Sequence, residues 1–298
     1  MTNSAHDIES DTARTRQFRD LQSRWRQTVL GLPAGLDRSG RAVGSLLPAD
    51  APPGAQWLTR PIADYVESRL PGAREEKGAI EEDRLLRNLL SSQPLCFNLF
   101  GQLDAFKPTA ARVLSRVLAL PIYRVDAVLV EHAPPAAKER LADRSAFDAY
   151  LRASGPAGPL FLAVETKYTE PFSRREYASE KYEALTDDAG GWFLPASSPE
   201  LRQAATNQLW RTLMLAQATE QFVPGAGDGV VVVMSVAGDA HAEAAVDGVR
   251  PCLRESDRRL RHVTYESFVQ AAVVEPDLHQ WGALFRARYL DVAPFSSP

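Results

Sequence analysis

Cysteine is almost missing from this chain: Cys96 and Cys252 are the only two in 298 residues, and they lack CxxC spacing. That excludes a disulfide scaffold and a thiolate zinc site, and reads as two reduced, buried thiols. The histidines, His6, His132, His241, His262 and His279, are scattered with no HxxxH or HExxH, which removes the common zinc-enzyme patterns. Long apolar runs are also lacking; the longest candidate, Val230 to Val236, is far short of the roughly 18 residues that span a membrane. The start, MTNSAHDIESDTARTR, has no apolar signal core, so a cytoplasmic protein without a membrane partner is expected. Phosphate loops are absent as well. The glycine cluster at 225–229 (GAGDG) follows a helix pattern and precedes a strand, the reverse of a dinucleotide loop, and there is no GxxxxGK[ST] or GxSxG. No nucleotide cofactor and no serine acyl transfer are expected.

What is present is ordinary globular material, 45% hydrophobic and 24% charged. A net charge of −4 argues against constitutive electrostatic binding of nucleic acid, without excluding a local basic surface. Residues 1–60 read as an N-terminal helical extension and linker, and 61–298 as one domain. Seven arginines between Thr12 and Arg41 (Arg14, Arg16, Arg19, Arg24, Arg26, Arg38, Arg41) face only Asp20 and Asp37. Phe18, Leu21, Trp25 and Val29 recur at helical spacing, predicting a helix over 12–30 that either packs with a solvated basic face or contacts phosphates. A second basic segment, Arg250 to Arg261, lies near the other end.

The next helix pattern, Ile80 to Phe100, puts Leu85, Leu86, Leu89 and Leu90 on one face with Glu82 and Gln93 near its middle. Glu82 is either a first-turn residue favoured by the helix dipole or an inward acid serving a site. Pro94 is expected to kink or end this helix.

The most informative stretch is Ser145 to Glu170, two alternating strands around the breaker cluster at 153–159. Centring the turn on Pro156 and Ala157 sets Asp148 opposite Glu165, and Lys167 follows on the same face. Facing carboxylates destabilise a ladder unless positive charge lies between them. A divalent cation such as Mg²⁺ suits two carboxylates, with the Thr166 backbone carbonyl as a further oxygen, and an ammonium beside it can hold a water or stabilise developing phosphorane charge.

Asp148 followed by Glu165-Thr166-Lys167 resembles the D-Xn-ExK motif of the PD-(D/E)XK nuclease superfamily. The order helix, strand, strand, strand, helix, strand resembles its core. LLSSQPLCFNLFG at 89–101, DRSAFDAY at 143–150, VETKYTE at 164–170 and NQLWR at 207–211 are similar to segments of PGN_0703-type restriction endonucleases. The resemblance implies a restriction-endonuclease-like α/β fold, a mixed sheet flanked by helices with additional helices at both ends. It implies a Mg²⁺-dependent nuclease, Mn²⁺ able to substitute, acting on DNA in preference to RNA, with a homodimer for double-strand cutting. It assigns Asp148, Glu165 and Lys167 to catalysis, Glu82 as the first-helix acid and Gln208 as a further site residue. Two features depart from the pattern: Phe147 stands where a proline usually precedes the aspartate, and Pro94 interrupts the first helix. Asp126 is a rival motif aspartate. A nuclease-like fold retained only as a binding module is the alternative to an active enzyme.

Overall fold

The computed structural model describes residues 8–143, 145–173 and 175–292. Helix α1 (Ala13–Arg24) starts where the Thr12 hydroxyl accepts from the Thr15 amide, and continues as a π-turn over Trp25–Val29. Arg14, Arg19 and Arg26 bind the chain's own carbonyls, carboxylates and hydroxyls. Arg14 donates to the carbonyls of Gly238 (2.7 Å) and Ala237 (2.9 Å), Arg19 to Asp11 (2.5 Å) and Ser45 (2.6 Å), and Arg26 to Gly44 (2.8 Å). Of the two expectations for this helix, these forks serve the packing one: they fasten a strap, and Phe18 and Leu21 beneath it belong to the main apolar core, while Arg16 and Arg24 stay exposed. The later basic segment is engaged likewise, Arg258 with Asp228 at 2.8 Å and Arg259 with Glu220 at 2.6 Å.

Residues 31–56, expected as a linker, include a short hairpin of β1 (Gly35–Leu36) and β2 (Ala42–Val43). Helix α2 (Arg60–Glu75) holds Pro71 within it, a residue that reads as a breaker in sequence. The helix pattern over 80–100, expected to kink or end at Pro94, is two helices that part earlier: α3 (Glu82–Arg87) and α4 (Ser92–Ala105). Between them the Leu89 amide donates to the Ser45 carbonyl at 2.9 Å and the chain turns. Pro94 sits in the first turn of α4, where its missing N–H costs nothing, so it opens a helix instead of ending one. Helix α5 (Lys107–Leu118) leads to the sheet.

Five strands form that sheet in spatial order β3-β4-β5-β6-β7. Strand β3 (Arg124–His132), helix α6 (Pro135–Leu141), β4 (Phe147–Gly155) and β5 (Gly158–Thr166) come first, with β3, β4 and β5 antiparallel. The hairpin turn is tighter than its breaker-rich sequence suggests. Pro156 and Ala157 alone separate the strands, and Gly158 takes φ +114°, a conformation that side-chain-bearing residues resist. After α7 (Glu180–Thr186), α8 (Ser198–Leu201) and α9 (Asn207–Phe222), β6 (Asp228–Ser235) returns parallel to β5. Helix α10 (Ala240–Val249) and α11 (Ser256–Arg259) precede β7 (Leu260–Thr264), parallel to β6, and α12 (Tyr265–Ala272) and α13 (Pro276–Tyr289) complete the fold.

Strand alternation divides the core. Leu162, Val164, Val232 and Met234 face a layer containing residues of α2, α4, α5, α12 and α13, whereas Phe161, Ala163, Val231 and Val233 face α9 and α10. The mixed sheet buried on both faces matches the expected α/β class. No helix among the described residues is long and apolar enough to cross a membrane.

The strap bears on the strand that carries the ExK motif. Phe18 meets Tyr168 edge-to-face at 4.9 Å and the Gln22 amide donates to the Tyr168 hydroxyl at 3.0 Å, while Tyr168 in turn donates to the Tyr289 carbonyl on α13. Removing Phe18 leaves a cavity at this junction. Phe18→Ala is expected to lower stability by about 3–4 kcal/mol in chemical unfolding; a loss under about 0.5 kcal/mol would mean that α1 is a peripheral arm.

Candidate active site

The β4/β5 ladder runs from Gly155↔Gly158 to Ala149↔Val164, so Asp148 and Glu165 follow as the next facing residues. At this point backbone pairing gives way to side-chain pairing. Asp148 Oδ2 accepts from both the Thr166 amide and the Thr166 hydroxyl, each at 2.7 Å. The carboxylate thus stands in for the carbonyl that would have continued the ladder. The Cys96 thiol, its pKa pushed well up by burial and so kept protonated, donates to the Asp148 carbonyl at 3.2 Å.

Glu165 is 4% exposed and Lys167 7%, and Lys167 Nζ lies 2.8 Å from Glu165 Oε1. The ring of Phe172 covers the ammonium, its centroid 4.6 Å from Nζ. Two side chains one turn apart on α9 hold Glu165 from the helix side: Gln208 Nε2 donates to Oε1 at 2.6 Å and Thr212 Oγ1 to Oε2 at 3.1 Å. Gln208 also accepts the Ser173 amide at 2.6 Å, which ties the segment after β5 to the same helix.

The electrostatics follow from this crowding. Burial, then the neighbouring charges of Glu165 and Glu131, push Asp148 up to about 8, against the relief offered by Lys167 and the Thr166 amide. Burial alone would lower Lys167, but Glu165 and Asp148 outweigh it and hold the ammonium above the ordinary lysine value. The ammonium is thus paired directly with Glu165 alone.

The structure brings together Asp148, Glu165, Thr166, Lys167 and Gln208. It does not bring Glu82. That residue begins α3, pairs with Arg74, is 63% exposed at its side chain and lines a surface pocket with Pro52, Arg60 and Arg87, which none of the other site residues lines. The expectation of a first-helix acid at Glu82 is corrected, and the cause is the break at 88–91: a helical phase read from Leu85 to Leu90 cannot be carried across a chain turn. Asp126 is not brought in either; it is exposed beside a β-bulge and pairs with Arg124 at 2.5 Å.

An acid the sequence reading passed over lies beside the site instead. Glu131, at the end of β3, is 6% exposed and accepts from Gln93 Nε2 at 2.7 Å. Burial raises its pKa, against the donors from Gln93 and Ala79 and the more distant Arg84, with Glu165 adding to the rise. Its signal in the sequence was a carboxylate closing an otherwise apolar strand run, AVLVE.

A model of the PD-(D/E)XK nuclease superfamily matches residues 9–291. The chain belongs to that superfamily. Neither the curated proteins nor the solved structures give a match. Members of the PD-(D/E)XK superfamily generally use divalent metals. Among the described residues, no three His, Cys, Asp or Glu side chains converge on one point as they stand. The donor chemistry still fits a hard divalent cation, since adjacent strands present carboxylate oxygens where neighbouring negative charge already disfavours a lone anion.

Because Lys167 relies on Glu165 while Asp148 is crowded by charge, the two acids should respond oppositely in metal-free protein. Glu165→Gln strips a buried ammonium of its partner and should cost about 3–5 kcal/mol by thermal or chemical unfolding. Asp148→Asn keeps an acceptor for Thr166 and should leave the melting temperature unchanged or higher; the opposite ranking would refute this electrostatic picture.

Proposed function

We propose that the protein is a Mg²⁺-dependent nuclease that hydrolyses DNA phosphodiester bonds, with a restriction-type endonuclease as its specific form. The observation that carries this reading is the meeting of Asp148, Glu165 and Lys167 at one end of β4 and β5, with the 2.8 Å ion pair linking the last two. Asp148 and Glu165, aided by the Thr166 carbonyl, are the residues that would hold the cation. A bound Mg²⁺ or Mn²⁺ supplies charge neutralisation at the phosphate and a water acidified toward hydroxide.

Everything else is done by the chain. Gln208 and Thr212 fix Glu165 from α9, so the carboxylate does not have to be ordered when substrate arrives. Lys167 keeps its proton, and its ammonium serves to orient the attacking water and to offset charge building on the phosphoryl oxygens. Phe172 keeps bulk water off that ammonium, which strengthens its field. Cutting both strands takes two such sites, so a homodimer on the substrate completes the proposal.

Incubation of the purified chain with DNA and with RNA, each with Mg²⁺ or Mn²⁺ and with chelator, tests this. Cleavage of DNA that chelator abolishes is expected, falling about 10³-fold or more in Asp148→Ala and Lys167→Ala. Wild-type cleavage in both variants would overturn the assignment. Metal-dependent cleavage of RNA alone would replace the substrate, and the absence of any cleavage would favour a nuclease-like binding module.

A further inference from the structure

We propose that Glu131 is a third carboxylate of the metal site, supplied by strand β3 in the role that sequence reading gives to Glu82. This rests on the reading of Asp148 and Glu165 as metal-holding residues and extends it to an acid on a different strand.

Register makes the first argument. Val130↔Ala149 and His132↔Phe147 bracket Glu131 against Asp148, and the ladder ending at Ala149↔Val164 sets Asp148 against Glu165. By register the three acids stand next to one another at the ends of three adjacent strands, although their side chains do not converge on one point as they stand. Two like charges facing each other already weaken a sheet, and a third compounds the repulsion unless a cation is shared.

The backbone makes the second. Glu131 has φ +54°, a left-handed conformation that costs a non-glycine residue about 1–2 kcal/mol. Several contacts hold it there. Arg69 donates through Nε to the Val130 carbonyl at 2.8 Å and through Nη2 to the Glu131 carbonyl at 3.4 Å. Its fork is clamped on Glu76 at 3.0 and 2.9 Å, and His132 meets the same carboxylate at 2.7 Å. Gly78 leaves the room required, since a Cβ there would stand 2.6 Å from the Glu131 carbonyl oxygen. This apparatus turns the last acid of the strand inward, where ordinary extension would let it reach solvent at the sheet's edge.

The third argument is charge. The donors that reach the buried carboxylate, the Gln93 side-chain amide and the Ala79 backbone amide, are both neutral, and Gln93 is itself steadied by donating to the Ala79 carbonyl at 3.0 Å. Arg84, the cation nearest in influence, is bound to Glu170 at 2.6 Å. A purely structural role at this position would be served as well by glutamine, without the cost of burying a charge. A carboxylate becomes worth its burial when a cation comes to it.

Calorimetric titration of Mn²⁺ into the full chain separates the possibilities, with wild type, Glu131→Gln, Glu82→Gln and Asp148→Asn compared. Glu131→Gln should weaken Mn²⁺ binding roughly ten-fold or more, Glu82→Gln should leave it unchanged, and Asp148→Asn should abolish it. Wild-type affinity in Glu131→Gln together with loss in Asp148→Asn would overturn the role of Glu131 alone. Wild-type affinity in Asp148→Asn would overturn the underlying site as well. If Glu131→Gln does not fold, Gln93→Met replaces it: weaker Mn²⁺ binding supports the proposal, and unchanged binding contradicts it.

Discussion

The structure turns on one buried ion pair. Glu165 and Lys167 leave the end of β5 on the same face and meet at 2.8 Å, nearly cut off from water. A charge in such a place is tolerable only if its partners are fixed, because breaking one side strands the other. The surrounding elements provide that fixing: α9 delivers Gln208 and Thr212 to the carboxylate, and Phe172 roofs the ammonium. The segment immediately beyond is wedged by Tyr168 between α1 and α13. The amino-terminal strap therefore serves the site indirectly, by setting where β5 ends.

Sheet topology explains why the site forms where it does. The hairpin of β4 and β5 brings two acids face to face, and the parallel return of β6 leaves room for α9 to lie over that end of β5. Beyond Ala149↔Val164 the Asp148 side chain takes over the hydrogen bonding of a strand backbone. The ladder thus ends in carboxylate oxygens, and the same oxygens that close the sheet are those a cation would approach.

Much of this was legible in the sequence, and the reasons are physical. Period-two alternation with a turn at Pro156 and Ala157 fixes register, so facing pairs follow without coordinates, and a buried β-branched run such as Val230 to Val233 has few alternatives. Asp148, Glu165 and Lys167 followed from that register, Gln208 came with the family resemblance, and membership of the superfamily accords with both. What failed were inferences that needed long-range contacts. The split between α3 and α4 depends on Leu89 bonding to Ser45, more than forty residues away, and the placement of Glu82 failed with it. That Arg14 and Arg26 tie the chain down was not legible, because their acceptors, carbonyls of Gly44, Ala237 and Gly238, carry no sequence signal. Glu131 was hidden for a similar reason, since its inward turn comes from a left-handed residue held by Arg69 on α2, a helix whose internal proline disguised it.

The central claim is that the carboxylates at the ends of β4 and β5 form a divalent-cation site. Anomalous diffraction from crystals soaked in Mn²⁺ tests it most directly. The account predicts a single strong peak within about 2.1 Å of oxygens from both Asp148 and Glu165. No peak there, or a peak bound elsewhere such as at Glu82, would contradict it.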